Sequence, residues 1–140
     1  SILSAISRAK DEVVDRHRYR ELAQHMADTA ETEEANIAAE KCLEIATVYD
    51  LYEQLKLDRG AVDFGDLVAR PTALVESDEA VRTELQRRYE HVLVDEYQDV
   101  NRASVRLLRA LKPDGFNLWV VGDAKQSIYR FRGASSYNID

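Results

Sequence analysis

The residues with the clearest capacity for chemistry lie in two short runs, HVLVDEYQDVN from His91 to Asn101 and WVVGDAKQSIYRFRG from Trp119 to Gly133. Each begins as an apolar segment and runs straight into acid: Asp95 and Glu96 in the first, Asp123 in the second. Each also carries a glutamine three residues beyond its first acid, Gln98 and Gln126. Carboxylate oxygens are hard ligands suited to Mg²⁺, an ion commonly held by one or two carboxylates together with substrate phosphates. Adjacent strand residues face opposite sides of a sheet, so Asp95 and Glu96 serve one ion together only if the strand ends there. The natural division sets one acid near the metal and its neighbour near an attacking water. A single acidic pair at a strand end reads as a solvated terminus; the doubled pattern argues for more.

Acids so placed need strands to carry them. His91–Val94 is a compact run rich in β-branched residues, and Asn117–Val121 (NLWVV) is a second. Both read as strands covered on both faces. Between them Asn101 can cap a helix bearing Val105, Leu108 and Leu111, and Pro113-Asp114-Gly115 turns the chain. Strand, helix, strand within about thirty residues is a βαβ unit with parallel strands. Ligands of open parallel sheets gather beyond the carboxyl ends of the strands, where Asp95, Glu96 and Asp123 converge.

Everything before His91 reads as helical. Ile2, Ile6, Ala9 and Val13 recur at helical spacing, as do Tyr19, Leu22, Ala23 and Met26. Ala38, Cys42, Ile45, Tyr49 and Tyr52 mark one face of a long helix from about Glu33 to Leu57, ended by Arg59-Gly60. The polar stretch ADTAETEEAN before it reads as a loop. Asp63–Leu67 opens a short helix stopped near Pro71, and Ser77-Asp78 caps one carrying Val81, Leu85 and Tyr89. The fold class is α/β: a mostly helical N-terminal part followed by a small parallel sheet.

The 140 residues carry a formal charge of −7, which argues against indiscriminate nucleic-acid binding. The charge is uneven, however. Ser1–Glu90 holds 12 basic and 20 acidic residues, whereas His91–Asp140 holds 7 basic and 6 acidic, so a polyanion is sought in the last third. Cys42 stands alone, which excludes a disulfide framework or a cysteine zinc site within the chain and suits a reducing cytoplasm. No run approaches a membrane span, and SILSAISRAK reads as an amphipathic helix rather than a signal sequence. In an extended IYRFRG, Tyr129 and Phe131 share one face and Arg130 and Arg132 the other. Aromatic faces stack on bases of any sequence and arginines track phosphates; equally, the rings can anchor the loop to a core.

VLVDEYQDVN followed by VVGDAKQSIYRFRGA resembles motifs II and III of the UvrD/Rep-type superfamily 1 DNA helicases, with Lys125 closer to the RecB/AddA branch. ILSAISRAK and VDFGDL match the same family in the right order. The resemblance implies a helical 1B-like insertion over residues 1–60 and a partial RecA-like 1A motor domain over residues 61–140. It implies that Asp95 holds the Mg²⁺ of Mg-ATP, that Glu96 is the base activating the hydrolytic water, and that Gln126 senses the γ-phosphate. Asp123 lies at the same nucleotide edge, and Gln98 helps couple nucleotide state to DNA. Tyr129, Phe131 and Arg132 fall where the family meets single-stranded DNA and the neighbouring motor domain. The implied parent is an ATP-dependent helicase moving 3′ to 5′ on single-stranded DNA at duplex junctions, in recombination or repair.

No G-x-x-x-x-G-K-[ST] phosphate loop occurs in the 140 residues, and Lys125 lies outside any such glycine loop. The chain therefore reads as a piece of a larger helicase, inactive alone and dependent on the remaining motor domains. A strand left without its far-side partner is an association hazard, so the separate piece is expected to self-associate through an exposed sheet edge. Two other classes compete: a non-catalytic interaction module that keeps the fold, and a metal-dependent nuclease built on Asp95, Glu96, Asp99 and Asp123. A nuclease of that type needs its carboxylates clustered around metals roughly 3.5–4 Å apart.

Overall fold

A computed structural model describes residues 1–123, which form six helices and two strands. They belong to two compact units. The first comprises Ser1–Lys10 and Val14–Asp63; the second comprises Asp11–Val13 and the described residues from Phe64.

The first unit is made of α1 (Ile2–Asp11), α2 (Arg16–Asp28) and α3 (Glu33–Asp58). Asp15 caps α2 by accepting the Arg18 N–H at 2.8 Å, and Thr32 caps α3 by accepting that of Ala35 at 3.2 Å. The polar stretch 27–36 is largely absorbed into helix ends, because those caps satisfy N–H groups that would otherwise favour a loop. Helix α1 closes with Val13 in the left-handed region (φ 56°) and the Val14 N–H returning to the Ala9 carbonyl at 2.8 Å. Glycine usually takes that position. Here Val14 packs on the core of Ile6, Ala9 and Tyr49, joined by Tyr19, Ile45 and Tyr52. Tyr19 meets Tyr49 edge to face at 6.0 Å, and the Tyr49 hydroxyl donates to the Val14 carbonyl at 3.2 Å.

Two lysines are buried in this helical unit. Lys10 pairs with Glu53 at 2.9 Å and with Asp63, and Lys56 pairs with Glu53 at 2.7 Å and Asp63 at 3.3 Å. The Tyr52 hydroxyl donates to the same Asp63 oxygen at 2.8 Å while its ring lies under both ammonium groups. Asp63 is thus an internal counter-ion, not the helix cap its place in VDFGDL suggests.

In the second unit α4 (Asp66–Ser77), α5 (Glu79–Arg88) and α6 (Arg102–Leu111) pack on one another beside a parallel pair, β1 (Val92–Val94) and β2 (Leu118–Val120). Val92, Leu93 and Val94 face Leu118, Trp119 and Val120 in register. Asp78 and Asn101 cap α5 and α6 as their sequence positions imply. The Asn101 amide also donates to Asp11 at 2.8 Å; burial of Asp11 raises its carboxyl pKa, opposed by that bond. Helix α4 does not stop at Pro71 but runs six residues further. Pro71 faces solvent, while the next residue, Thr72, is fully buried against the Ala103 carbonyl of α6 and Val75 is buried beside it. Packing of that face outweighs the one backbone hydrogen bond that proline cannot make.

The strands are shorter and barer than their composition suggests. Leu93 is 77% exposed, Trp119 51% and Val121 66%. They share one face of the pair, where His91 stacks on Trp119 at 5.6 Å. An apolar sequence implies a covered strand only where a covering layer is present; on the other face Val92, Val94 and Leu118 are half-buried and Val120 is 47% exposed. Among the described residues no helix is long and apolar enough to cross a membrane.

Removing the Tyr49 hydroxyl (Tyr49→Phe) is expected to cost about 1 kcal/mol. Removing the ring (Tyr49→Ala) should cost about 3–5 kcal/mol. Urea denaturation checks both, and equal losses would show that the ring is not packed as described.

Candidate functional site

Strand β1 ends at Val94, immediately before the acids. Backbone pairing with the second strand nevertheless continues. The Val121 N–H donates to the Val94 carbonyl at 2.8 Å, and the Tyr97 N–H donates to the Val121 carbonyl at 2.9 Å. Asp95 and Glu96 are displaced between those two bonds. Glu96 takes up the excess chain by entering the left-handed region at φ 52°, ψ 41°. For a residue with a Cβ that conformation costs about 1–2 kcal/mol. The turn separates the two acids: the Glu96 N–H donates to Asp95 Oδ1 at 2.8 Å, while the Glu96 carboxylate reaches the Gln98 amide. Asp95 and Glu96 therefore do not share one task by strand alternation; a break in the strand divides them.

Gln98 is the keystone. It lies in the 3-10 turn Tyr97–Asp99 and is only 1% exposed. Its Nε2 donates to the Glu96 carboxylate, and its Oε1 accepts the Asp123 backbone N–H at 2.9 Å. One carboxamide thereby joins the acid at the end of the first strand to the backbone of the acid at the end of the second. Gly122 lies against this group: a Cβ there would fall 2.6 Å from Gln98 Oε1.

Of the residues singled out by sequence, Asp95, Glu96, Gln98 and Asp123 come together at one end of the parallel pair. Gln126, Tyr129, Phe131 and Arg132 lie outside the described residues. Asp95, Glu96 and Asp123 are exposed, as a site open to a ligand requires. Asp99 keeps one carboxylate oxygen buried with no donor among the described residues. No three of Asp95, Glu96, Asp99 and Asp123 bring carboxylate oxygens within 4.8 Å of one another, which leaves the two-metal nuclease arrangement without its geometry. On α6, Arg106 is held by both oxygens of Glu76, which keep its guanidinium firmly charged, and Arg102 pairs with Glu12 at 3.0 Å. These two arginines stabilise their own unit. Sequence reading missed Gly122, whose signal was a glycine between a strand and its terminal acid, and the Lys10–Lys56 pair, which had no local signal.

Comparison with known proteins identifies the family. The model of the UvrD/REP helicase N-terminal domain matches residues 1–140. The chain belongs to that family. It is 38% identical over 146 aligned positions to the ATP-dependent DNA helicase UvrD1 of Mycobacterium tuberculosis H37Rv, covering 99% of this chain and 18% of the relative. To the ATP-dependent DNA helicase PcrA of Bacillus subtilis it is 35% identical, covering 99% of this chain and 17% of the relative. To the M. tuberculosis ATP-dependent DNA helicase UvrD2 it is 48% identical over 95 positions, covering 66% of this chain and 14% of the relative. The chain thus spans less than a fifth of the length of these UvrD-type relatives.

Proposed function

We propose that this chain supplies the hydrolytic edge of an ATP-dependent DNA helicase, as part of a longer motor that couples ATP hydrolysis to 3′-to-5′ movement on single-stranded DNA. The observation that carries the reading is the Gln98 carboxamide, which ties Glu96 to the backbone at Asp123 across two parallel strands. Such a tie serves little purpose at a solvated strand terminus. It has an evident use where a base must be held in one orientation beside a nucleotide. Membership of the UvrD/REP family points the same way, as does the similarity to relatives that are ATP-dependent DNA helicases.

In this reading residues 61–140 are the rear part of a RecA-like 1A domain containing motifs II and III, and residues 1–60 are a 1B-like insertion. Asp95 suits Mg²⁺ by donor chemistry: it is an exposed carboxylate with one oxygen engaged by the Glu96 N–H. Bound there, the ion would neutralise phosphate charge. Glu96 accepts the proton of the water that attacks the γ-phosphate, and Gln98 keeps its carboxylate aimed. Gln126 contacts the γ-phosphate, with Asp123 at the same edge. Tyr129 and Phe131 stack on bases and Arg132 meets phosphate or the neighbouring motor domain. Single-stranded DNA and duplex junctions are the substrates, recombination or repair the setting, and the cytoplasm the location.

In the full-length protein Glu96→Gln is expected to lower ATP turnover by about 10²–10⁴-fold while leaving nucleotide affinity unchanged, since a general base contributes that much. Retained turnover would refute the assignment. Replacing Tyr129 and Phe131 by alanine should weaken single-strand binding by about 1–3 kcal/mol per ring, with nucleotide affinity preserved; loss of nucleotide binding alone would reverse their role. The 140-residue segment by itself should self-associate through an exposed sheet edge, and a sharp monomer in light scattering at high concentration would contradict this.

A further inference from the structure

We infer that Gly122 is a positioning residue: its missing Cβ leaves the space in which the Gln98 carboxamide lies, and that carboxamide aims Glu96. The inference rests on the reading of Glu96 as the hydrolytic base and deepens it. Three observations on different parts of the chain converge. A Cβ on Gly122 would lie 2.6 Å from Gln98 Oε1, and 3.1 Å from the backbone nitrogens of both Gln98 and Tyr97. The same Oε1 accepts the Asp123 N–H at 2.9 Å, so it cannot retreat without breaking the bond beside Gly122. The other end of the amide holds the Glu96 carboxylate, whose backbone is in a strained left-handed turn.

A glutamine end group is ordinarily flexible, and a clash with it is cheap to relieve. Here it is not. Gln98 is 1% exposed and is bonded at both ends, so a displaced carboxamide leaves a buried donor or acceptor unpaired. The two backbone nitrogens at 3.1 Å also bar the strand end from shifting toward the turn, because the Tyr97 N–H is bonded to the Val121 carbonyl one residue away. Gly122 does not adopt the left-handed conformation, and its neighbours Val121 and Asp123 carry ordinary side chains. What demands glycine here is therefore close approach and not backbone conformation.

The effect on catalysis is indirect and has a distinctive kinetic form. A substituent at position 122 meets the Gln98 carboxamide first, and Asp95 is not among its nearest contacts. It lets the Glu96 carboxylate leave the orientation it needs in the transition state, so kcat falls while KM for ATP holds. Because its closest contact is with the Gln98 side chain, removing that side chain relieves most of the substituent's effect and leaves the two 3.1 Å backbone contacts.

The test is steady-state ATP hydrolysis by the full-length protein with DNA present, for Gly122→Ala, Gln98→Ala, the double variant and Glu96→Gln. Gly122→Ala and Gln98→Ala should each lower kcat by about tenfold or more with KM for ATP within about twofold, and the double variant should be no slower than the slower single one. Wild-type kcat in Gly122→Ala, or losses that multiply in the double variant, would overturn the inference. Gln98→Asn provides a second route should Gly122→Ala fail to fold. One methylene shorter, it cannot span from Asp123 to Glu96, and it should show the same kcat loss at unchanged KM. Wild-type turnover in Gln98→Asn alongside an inactive Glu96→Gln overturns the positioning role alone, whereas an active Glu96→Gln overturns the proposed function beneath it.

Discussion

A carboxamide sealed from solvent must have both its ends satisfied, and at Gln98 that requirement organises everything around it. Leaving either the Nε2 donor or the Oε1 acceptor unpaired would cost about 1–3 kcal/mol. The donor is met by the Glu96 carboxylate and the acceptor by the Asp123 N–H, 25 residues along the chain from Gln98, so two strand ends are tied by one side chain. The left-handed turn at Glu96 and the glycine at position 122 are its steric consequences. The first brings the carboxylate back within reach of Nε2. The second clears the space that Oε1 occupies. Local backbone strain of this kind persists where surrounding bonds over-determine it, and here two backbone hydrogen bonds flank the turn.

The helical unit solves a different problem with the same economy. Lys10 and Lys56 are nearly excluded from solvent, which would be costly for isolated ammonium groups. Each is answered by Glu53 and Asp63, and the Tyr52 ring and hydroxyl complete the shell. Buried ion pairs of this sort add little net stability compared with apolar packing, but losing one partner strands the other. The network thus fixes one arrangement of α1, α3 and the segment leading to Asp63 rather than merely strengthening it.

Family membership and the exposed apolar side chains of the described strands fit one picture. The chain spans 18% of the UvrD1 relative, and the two-stranded sheet presents Leu93, Trp119 and Val121 outward. Side chains of that kind are stable in water only at the cost of exposed apolar area, so they mark the face on which the proposed motor would continue its layers.

Helical periodicity alone placed α1, α3 and α5, because a 3.6-residue apolar repeat has few other solutions. The caps at Asp78 and Asn101 were likewise legible, being contacts three residues long. The two acid-terminated strands, and the meeting of Asp95, Glu96 and Asp123 at one edge, followed from apolar runs flanking a capped helix. Tertiary structure decided the rest. Helix α4 passes Pro71 because Thr72 and Val75 are buried on a neighbouring helix, a fact written in no local window. Lys10 finds Asp63 across 53 residues, and Gln98 finds Asp123 across 25. Nothing in the run DEYQD announces a left-handed glutamate, since its cause is a hydrogen-bond demand imposed from the other strand. Residue types near one another in the chain reveal propensities; which polar groups must satisfy each other once water is excluded is known only when distant segments have met.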